Sequence, residues 1–557
     1  MVSAFKLDVL FESGKRWTFA AFVIALIVCA PLISLMVEAV SGSVSHWGHL
    51  IRYVLPHALL NTIILLIGVG IVVTFLGTGA AWLVTAYEYP GRRFLTWALL
   101  LPLAVPTYII AFTYLDLLHP IGPIQGLVRD LLGYSSPREF RLPDIRGVWG
   151  AILLLGVVLY PYVYLSTRFM FLTQAASVVE AARILGESPR GVFLRVALPL
   201  ARPAIVVGLS LALLETLNDV GASEFLGVKT LTLAVYTTWV TRSDLAGAAQ
   251  IALSMLFIVV FVLHIEKKAR ERQRYGLVQR MRAITPTILK GKHIVYAWVL
   301  GAIPIFFGFV LPASYLMIQA VEKFLLNQPI STGLWQASIN TITVSFIATI
   351  LTVTLGVIVA WASRRVRDSA HDRTLGKLFA RLSSLGYAVP GTVLAIGLLG
   401  PLIMLDRIME WLLGMSNFQV TGLIVLGSST GLLIAYVIRF LAIANGSIEA
   451  GLARIPPSIE QASRLLGESS TRTLMRVHMP LLKPAMISAA LLIFVDTMKE
   501  LPATLMLRPM NFETLATLLY SEASRGSYEE GALAALVIVL IGLIPVILLA
   551  RAQQRPV

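Results

Sequence analysis

SVVEAARILGESPRGVFLRVALPLARPAI at residues 177–205 and SIEQASRLLGESSTRTLMRVHMPLLKPAM at 458–486 are one passage written twice. A single offset of 281 residues aligns Gly186 with Gly467 and Pro199 with Pro480. The passage is polar and cationic, and the chain around it is oily. Two copies of such a passage point to two equivalent docking elements.

The surrounding composition fixes the solvent. Hydrophobic residues make up 57% of the 557, charged residues 13%. A soluble domain carries about 25% charged residues. Apolar runs long enough to span a bilayer, about 20 residues each, fall at 18–40, 58–86, 94–117, 148–173, 203–221, 245–265, 293–320, 337–363, 383–404, 421–446, 484–507 and 531–550. These runs do not alternate as barrel strands would, so the expected fold is all-α and integral to the membrane, with about twelve transmembrane helices. The net charge of +15 is not a nucleic-acid signal, because it is concentrated near residues 87–93, 266–292, 364–381 and 451–483. Segments near 38–57, 116–147, 322–336, 405–420 and 508–530 are balanced or acidic. By the positive-inside rule both termini and both repeated passages face the cytoplasm. Cys29 is the only cysteine, which excludes a disulfide framework or a thiolate cluster. The eight histidines form no ligand grouping.

The chain divides at a charged linker, 266–292, into halves at 1–265 and 293–557. The halves agree beyond the repeated passage. Asn61-Thr62 matches Asn340-Thr341, Gly77 matches Gly356, and Ala81-Trp82 matches Ala360-Trp361. Ala104-Val105-Pro106 matches Ala388-Val389-Pro390, Arg168-Phe169 matches Arg439-Phe440, and Tyr236 matches Tyr520. Each half therefore has six helices in the same orientation, a parallel repeat with a pathway expected at its interface.

Local chemistry shapes the repeated passage. Ser177 with Glu180 and Ser458 with Gln461 have the spacing of a capping box for a helix about two turns long. Ala181-Ala182 and Ala462-Ser463 give a small-residue face, and Arg183 and Arg464 sit where the helix dipole favours cations. Gly186 and Gly467 fit the position after the helix, where positive φ costs glycine least. Ser188, with Pro189 behind it, and Ser469 can cap a second short helix, expected to close before Leu198-Pro199 and Met479-Pro480. Pro203 and Pro484 suit the first turn of the next membrane helix.

These residues resemble the EAA loop of ABC importer permeases: EAA, three residues, Gly, nine residues, then I-x-L-P. The first copy keeps Glu180, Ala181, Ala182, Gly186, Leu198 and Pro199. The second has Gln461 for the glutamate and Ser463 for the second alanine, with Glu460 one place early. The resemblance implies that each loop, Glu187 and Glu468 included, is a coupling helix docking a cytoplasmic ATPase. The chain has no phosphate loop of its own, since Gly14-Lys15 and Gly376-Lys377 are followed by Arg and Leu. It is therefore expected not to be an enzyme and to bind no cofactor; the resemblance implies that ATP and Mg belong to two copies of a separate ATPase. ETLNDVGASEFLGVKTLTLAVYTTW at 215–239 and DTMKELPATLMLRPMNFETLATLLYSEAS at 496–524 are similar to the fused two-domain permeases of ferric-iron importers. That likeness covers essentially the whole chain. It implies a bacterial inner membrane, a periplasmic iron-binding protein as partner and ferric iron as substrate. Thiamine, sulfate and polyamine permeases share the architecture and remain alternatives. A secondary transporter of the twelve-helix type would also have parallel halves, but would not have the EAA loops.

Glu215 lies sixteen residues beyond Pro199, about 24 Å along a helix. Asp219 follows one turn later, and Asp496 and Glu500 repeat the pair. Carboxylates at that depth are costly and are functional candidates. Carboxylate and phenolate oxygens suit a hard cation, so the expected route is lined by Glu215, Asp219, Asp496 and Glu500, with Tyr236 and Tyr520 beyond. Lys499, between Asp496 and Glu500, offers a competing account of that pair as a local charge network.

Overall fold

The computed structural model describes residues 15–41, 48, 50–173, 176–273, 285–326, 331–365, 370–414 and 423–554. Among them, eleven helices are long and apolar enough to cross a membrane, or twelve if one sharply bent pair counts as a single span. The architecture is the expected all-α one, and each predicted apolar run overlaps at least one helix among the described residues.

The first half contributes α1 (Lys15–Ser41), α2 (Leu55–Ala86), α3 (Arg92–Ala98), α4 (Thr107–Leu117), α5 (Val148–Thr173), α6 (Ala176–Ile184), α7 (Leu198–Asn218), α8 (Gly221–Phe225), α9 (Leu231–Val240) and α10 (Leu245–Gln273). The second half contributes α11 (Lys292–Ile305), α12 (Leu311–Leu325), α13 (Thr332–Arg365), α14 (Ala370–Ser383), α15 (Gly391–Gly414), α16 (Ser429–Ala453), α17 (Pro457–Leu465), α18 (Met479–Met498), α19 (Pro502–Leu507), α20 (Leu515–Arg525) and α21 (Tyr528–Gln554).

The sharply bent pair is explained by its proline. Helix α3 runs into a 3-10 turn, Leu101–Ala104, and Val105 then extends at φ −100, ψ 112. Residues before proline are driven out of the helical region by the proline ring. Pro106 restarts the chain as α4 at 89°. The second half does the same: a 3-10 turn at Leu385–Ala388, Val389 extended at φ −82, ψ 123, then α15.

Packing groups the helices into two compact units that differ from the sequence halves. One unit comprises residues 1–44, 238–253 and 332–517; the other comprises 45–237, 254–331 and 518–557. In the first unit α1 packs on α13, α14 and α15, all from the second half. Their approach is close: a Cβ on Gly397 would lie 2.3 Å from the Pro31 carbonyl oxygen. Trp361 and Tyr436 lead a core in which α13, α16 and α18 meet. In the second unit α2 and α5 pack together along their lengths. Gly77 makes this possible, because a Cβ there would stand 2.7 Å from Val163 Cβ. Gly356 does the same for α13 against Ala444, at 2.5 Å. Helix α21 packs against the Leu101–Ala104 turn and α12, with Gly542 against the Ala104 carbonyl.

The linker 266–292 is part helix and part strand at its described ends. Its first residues extend α10 to Gln273, and residues 274–284 lie outside the described set. On re-emerging, β2 (Thr287–Ile288) pairs in parallel with β1 (Tyr87–Glu88).

Candidate functional site

Both repeated passages fold alike. Helix α6 ends in a Schellman motif: Gly186 has φ +83, the Gly186 amide donates to the Arg183 carbonyl at 3.1 Å, and the Glu187 amide donates to the Ala182 carbonyl at 3.1 Å. Helix α17 repeats it, with Gly467 at φ +78 and the Glu468 amide on the Ser463 carbonyl at 3.2 Å. Such an end satisfies carbonyls that the helix leaves unpaired. Ser188 then accepts from the Gly191 amide at 3.1 Å, and Ser469 from the Arg472 amide at 3.4 Å, as their spacing predicts.

Two local expectations need correction. Ser458 does not cap: α17 begins at Pro457, so this serine sits inside the first turn. Pro457 takes the first helical position, which its fixed φ favours. The side chains of Ser177 and Arg464 lie outside the described set. Nor does the second short helix close before the proline. It passes through a π-helical turn, Val192–Ala197, straight into α7, and through Leu474–His478 into α18. The wider turn directly precedes Pro199 and Pro480, whose rings clash with an ordinary α-helical turn and lack a donor.

The loops are braced in the same way and tethered differently. Glu187 pairs with Arg195 at 3.4 Å, and Glu468 with Arg476 at 3.0 Å. Each π-turn touches a tryptophan of the core: Phe193 lies 5.3 Å from Trp82, and His478 lies 4.7 Å from Trp361. The first loop is tied to the linker. Glu180 accepts from the Thr285 hydroxyl, and Arg183 donates to the Thr285 carbonyl at 2.7 Å. In the second loop Gln461 and Ala462 are exposed, while the displaced Glu460 is buried and pairs with Arg364 of α13 at 3.5 Å. Arg364 also donates to the Ile455 carbonyl at 2.9 Å. Ser463 is buried on Thr473, 2.8 Å between hydroxyls. Replacing Thr285 by Val is expected to loosen the first loop alone: hydrogen exchange at 180–187 should quicken by about tenfold, from the loss of one charge-assisted hydrogen bond, while 461–468 is unchanged. Equal protection in the variant would show that the tether carries no weight.

Sequence reasoning overlooked the tips. Ile184 and Leu185 are 85% and 86% exposed, and Leu465 and Leu466 are 90% and 83% exposed. They stand at the glycine elbow, directly before Gly186 and Gly467. Large apolar groups displayed together on a surface are a common feature of interaction sites.

The deep carboxylates divide by role. Asp219, at the end of α7, accepts from Thr107 at 2.6 Å, from the Ser223 amide at 2.8 Å and from the Ser223 hydroxyl at 3.0 Å. It caps α8. Glu500 likewise accepts from the Ala503 amide at 2.9 Å, the Thr504 amide at 3.0 Å and the Thr504 hydroxyl at 2.6 Å, capping α19, and lies 3.8 Å from Arg439. Gly391 makes room for that ion pair, since a Cβ there would lie 2.5 Å from the guanidinium. Asp219 and Glu500, expected to line a cation route, have amides and hydroxyls as partners and, for Glu500, the Arg439 guanidinium. Their oxygens hold the starts of two short helices. Asp496 pairs with Lys499 at 2.9 Å, as the charge-network account of that pair expects. Glu215 is half-buried on α7.

The repeated Asn-Thr pair has a matching purpose. Asn61 donates to the Lys229 carbonyl at 3.2 Å and Thr62 accepts from the Leu231 amide at 2.9 Å. Asn340 and Thr341 do the same to Glu513 and Leu515, at 2.9 and 2.8 Å. These bonds fasten α9 and α20, the helices that carry Tyr236 and Tyr520. The two tyrosines come together edge to face, with ring centroids 6.4 Å apart. The Tyr520 hydroxyl donates to Glu224 of α8, an acid that has no equivalent in the second copy and that sequence reasoning missed.

Comparison with known proteins bears on this architecture. Residues 73–271 and 354–557 match the family described as binding-protein-dependent transport system inner membrane component. The chain is similar to the Fe(3+)-transport system permease protein FbpB 2 of Haemophilus influenzae, 25% identical over 96% of this chain and 97% of that protein. It is 24% identical to a putative ferric transport system permease protein, FbpB 1, of the same organism, over 73% of this chain and 63% of the relative. It is 27% identical, over 44% of this chain and 90% of the relative, to a putative 2-aminoethylphosphonate transport system permease protein of Salmonella typhimurium.

Proposed function

From the chain's membership of the family of binding-protein-dependent transport system inner membrane components, we propose that it is the fused permease of an ATP-driven importer that admits ferric iron to the bacterial cytoplasm. The observation that carries this reading is the pair of loops with identical elbows, braces and exposed apolar tips. Each tip would seat in a groove of one cytoplasmic ATPase subunit, so two copies are needed. Both termini and the linker 266–292 between the repeats would lie on that same side, and a periplasmic binding protein would deliver the substrate on the other.

The coupling follows from the braces. ATP-driven closure of the ATPase pair would displace the tips. Because Glu187–Arg195 and Glu468–Arg476 hold each elbow to its π-turn, the displacement passes into Trp82 and Trp361 rather than being lost in a slack loop. Phosphate chemistry stays on the ATPase, and this chain supplies the path. The similarity to ferric permeases along nearly the whole chain supports iron over a phosphonate, for which the likeness covers under half of it.

The deciding experiment identifies the ligand of the partner binding protein and measures radioiron accumulation by the assembled system. Iron should accumulate, uncompeted by thiamine, sulfate or a polyamine. A binding protein that holds one of those instead would remove iron and leave the permease. Along the route itself, Glu215→Gln with Asp496→Asn should lower uptake at unchanged membrane abundance; full uptake would take those two acids out of the path.

A further inference from the structure

We propose that Glu224, Tyr236 and Tyr520 form a transit site for a hard trivalent cation; this rests on the ferric reading above and gives it a location. All three belong to one compact unit, although Tyr520 comes from the second half of the sequence. Helix α7 is 21 residues long, about 30 Å at 1.5 Å per residue. The site therefore stands at the end of α7 remote from the coupling loop.

Partner chemistry separates the half-buried Glu224 from the carboxylates of the repeats; Asp116 also accepts from a phenol, that of Tyr315, whose oxygen in turn accepts from Gln319. Asp496, Glu500 and Glu460 face Lys499, Arg439 and Arg364. Asp219 is satisfied by amides and hydroxyls. Among the described residues no cation pairs with Glu224, and its recorded hydrogen bond is to the Tyr520 phenol. The Tyr236 ring stands edge to face against that of Tyr520, with centroids 6.4 Å apart and planes at 86°. Phe225 stacks on Tyr520 at 5.7 Å and 29° and holds its ring in place. Tyr520 is 8% exposed, so the group is partly shielded from water.

One carboxylate and two phenols make an all-oxygen donor set, which hard cations prefer over nitrogen or sulfur. On binding, the Tyr520 O–H bond breaks, its electron pair passes to the metal as an oxygen–metal bond, and the proton leaves to water. The metal keeps its oxidation state. Among the described residues no group of three or more His, Cys, Asp or Glu could hold a metal. A phenol-based site with few protein donors leaves water on the ion, and a conducting site must bind weakly enough to release.

The test uses the full chain in detergent, titrated with ferric nitrilotriacetate, alongside radioiron uptake by the assembled system. Wild type should develop a visible phenolate-to-ferric charge-transfer band. Tyr520→Phe keeps the stacked ring and should lose the band. Glu224→Gln should weaken it, and Glu224→Asp should restore it in part. Uptake should fall about tenfold in Tyr520→Phe at unchanged abundance. Iron uptake with no band, or with a band indifferent to both Tyr520→Phe and Tyr236→Phe, overturns the site and leaves the ferric reading standing. Absence of iron uptake in every version overturns both.

Discussion

Ile184→Asp with Leu185→Asp, combined with Leu465→Asp and Leu466→Asp, should strip the ATPase from this chain and reduce uptake to background. These four side chains are at least 83% exposed, so they contribute little to the permease's own packing. Their contribution would come in the complex, where apolar anchors filling a partner's pocket are each worth about 2 kcal/mol or more. An aspartate carried into such a pocket adds an unpaired charge. Either pair alone should cost about a several-hundredfold loss of affinity at its own socket, from two anchors at about 2 kcal/mol each, and the quadruple variant should show no co-purification. Thermal unfolding of the isolated permease should not move. Undiminished co-purification would show that the tips are not the docking surface. The two single-loop variants also weigh the two sockets. The first loop carries a tether to Thr285 that the second replaces with Glu460–Arg364, so their effects need not be equal.

Glu500→Ala should be the most damaging single change in the membrane core. It removes the acceptor for the Ala503 and Thr504 amides and strands Arg439, whose side chain is 9% exposed. Breaking a buried pair from one side costs about 3–5 kcal/mol. Asp219→Ala, in the equivalent place, removes a cap whose partners are neutral, and should cost about 0.5–2 kcal/mol. Detergent thermal unfolding and membrane abundance should therefore fall much further for Glu500→Ala than for Asp219→Ala. Adding Arg439→Met to Glu500→Ala should recover part of the loss by removing the stranded charge. If Glu500→Ala kept full stability and abundance yet abolished iron uptake, the carboxylate would belong to the route after all.

The loops were legible because their chemistry is local. Gly186, Gly467, Ser188 and Ser469 occupy positions that a turn or a cap requires, and each does what its spacing indicates. The Ala-Val-Pro breaks were legible as a repeat, and proline sterics explain their bend. The roles of the deep acids were not legible. A carboxylate one turn past another reads as a lining, and only coordinates show that Asp219 and Glu500 are occupied by amides three and four residues ahead. Glu224 escaped because reading by repeats favours residues with a twin, and its counterpart at the same offset is Leu505. The grouping of helices escaped for a related reason. Pattern and spacing report the face that a helix buries, but not which distant helix covers it.

That grouping sets an order of events in the making of the protein. Helix α1 is made well before the helices it packs on most, α13 to α15, which begin at Thr332, about 290 residues after Ser41. At a synthesis rate of about 5–20 residues per second, α1 waits roughly 15–60 s in lipid before α13 to α15 can cover it, with α10 joining it earlier through the Gln250 side chain on the Ala39 carbonyl. A chain severed within 266–292 would leave α1 on one fragment and α13 to α15 on the other. The single polypeptide keeps the early helix and its late partners at high effective concentration, so continuity of the linker governs the yield of assembled permease as well as its shape.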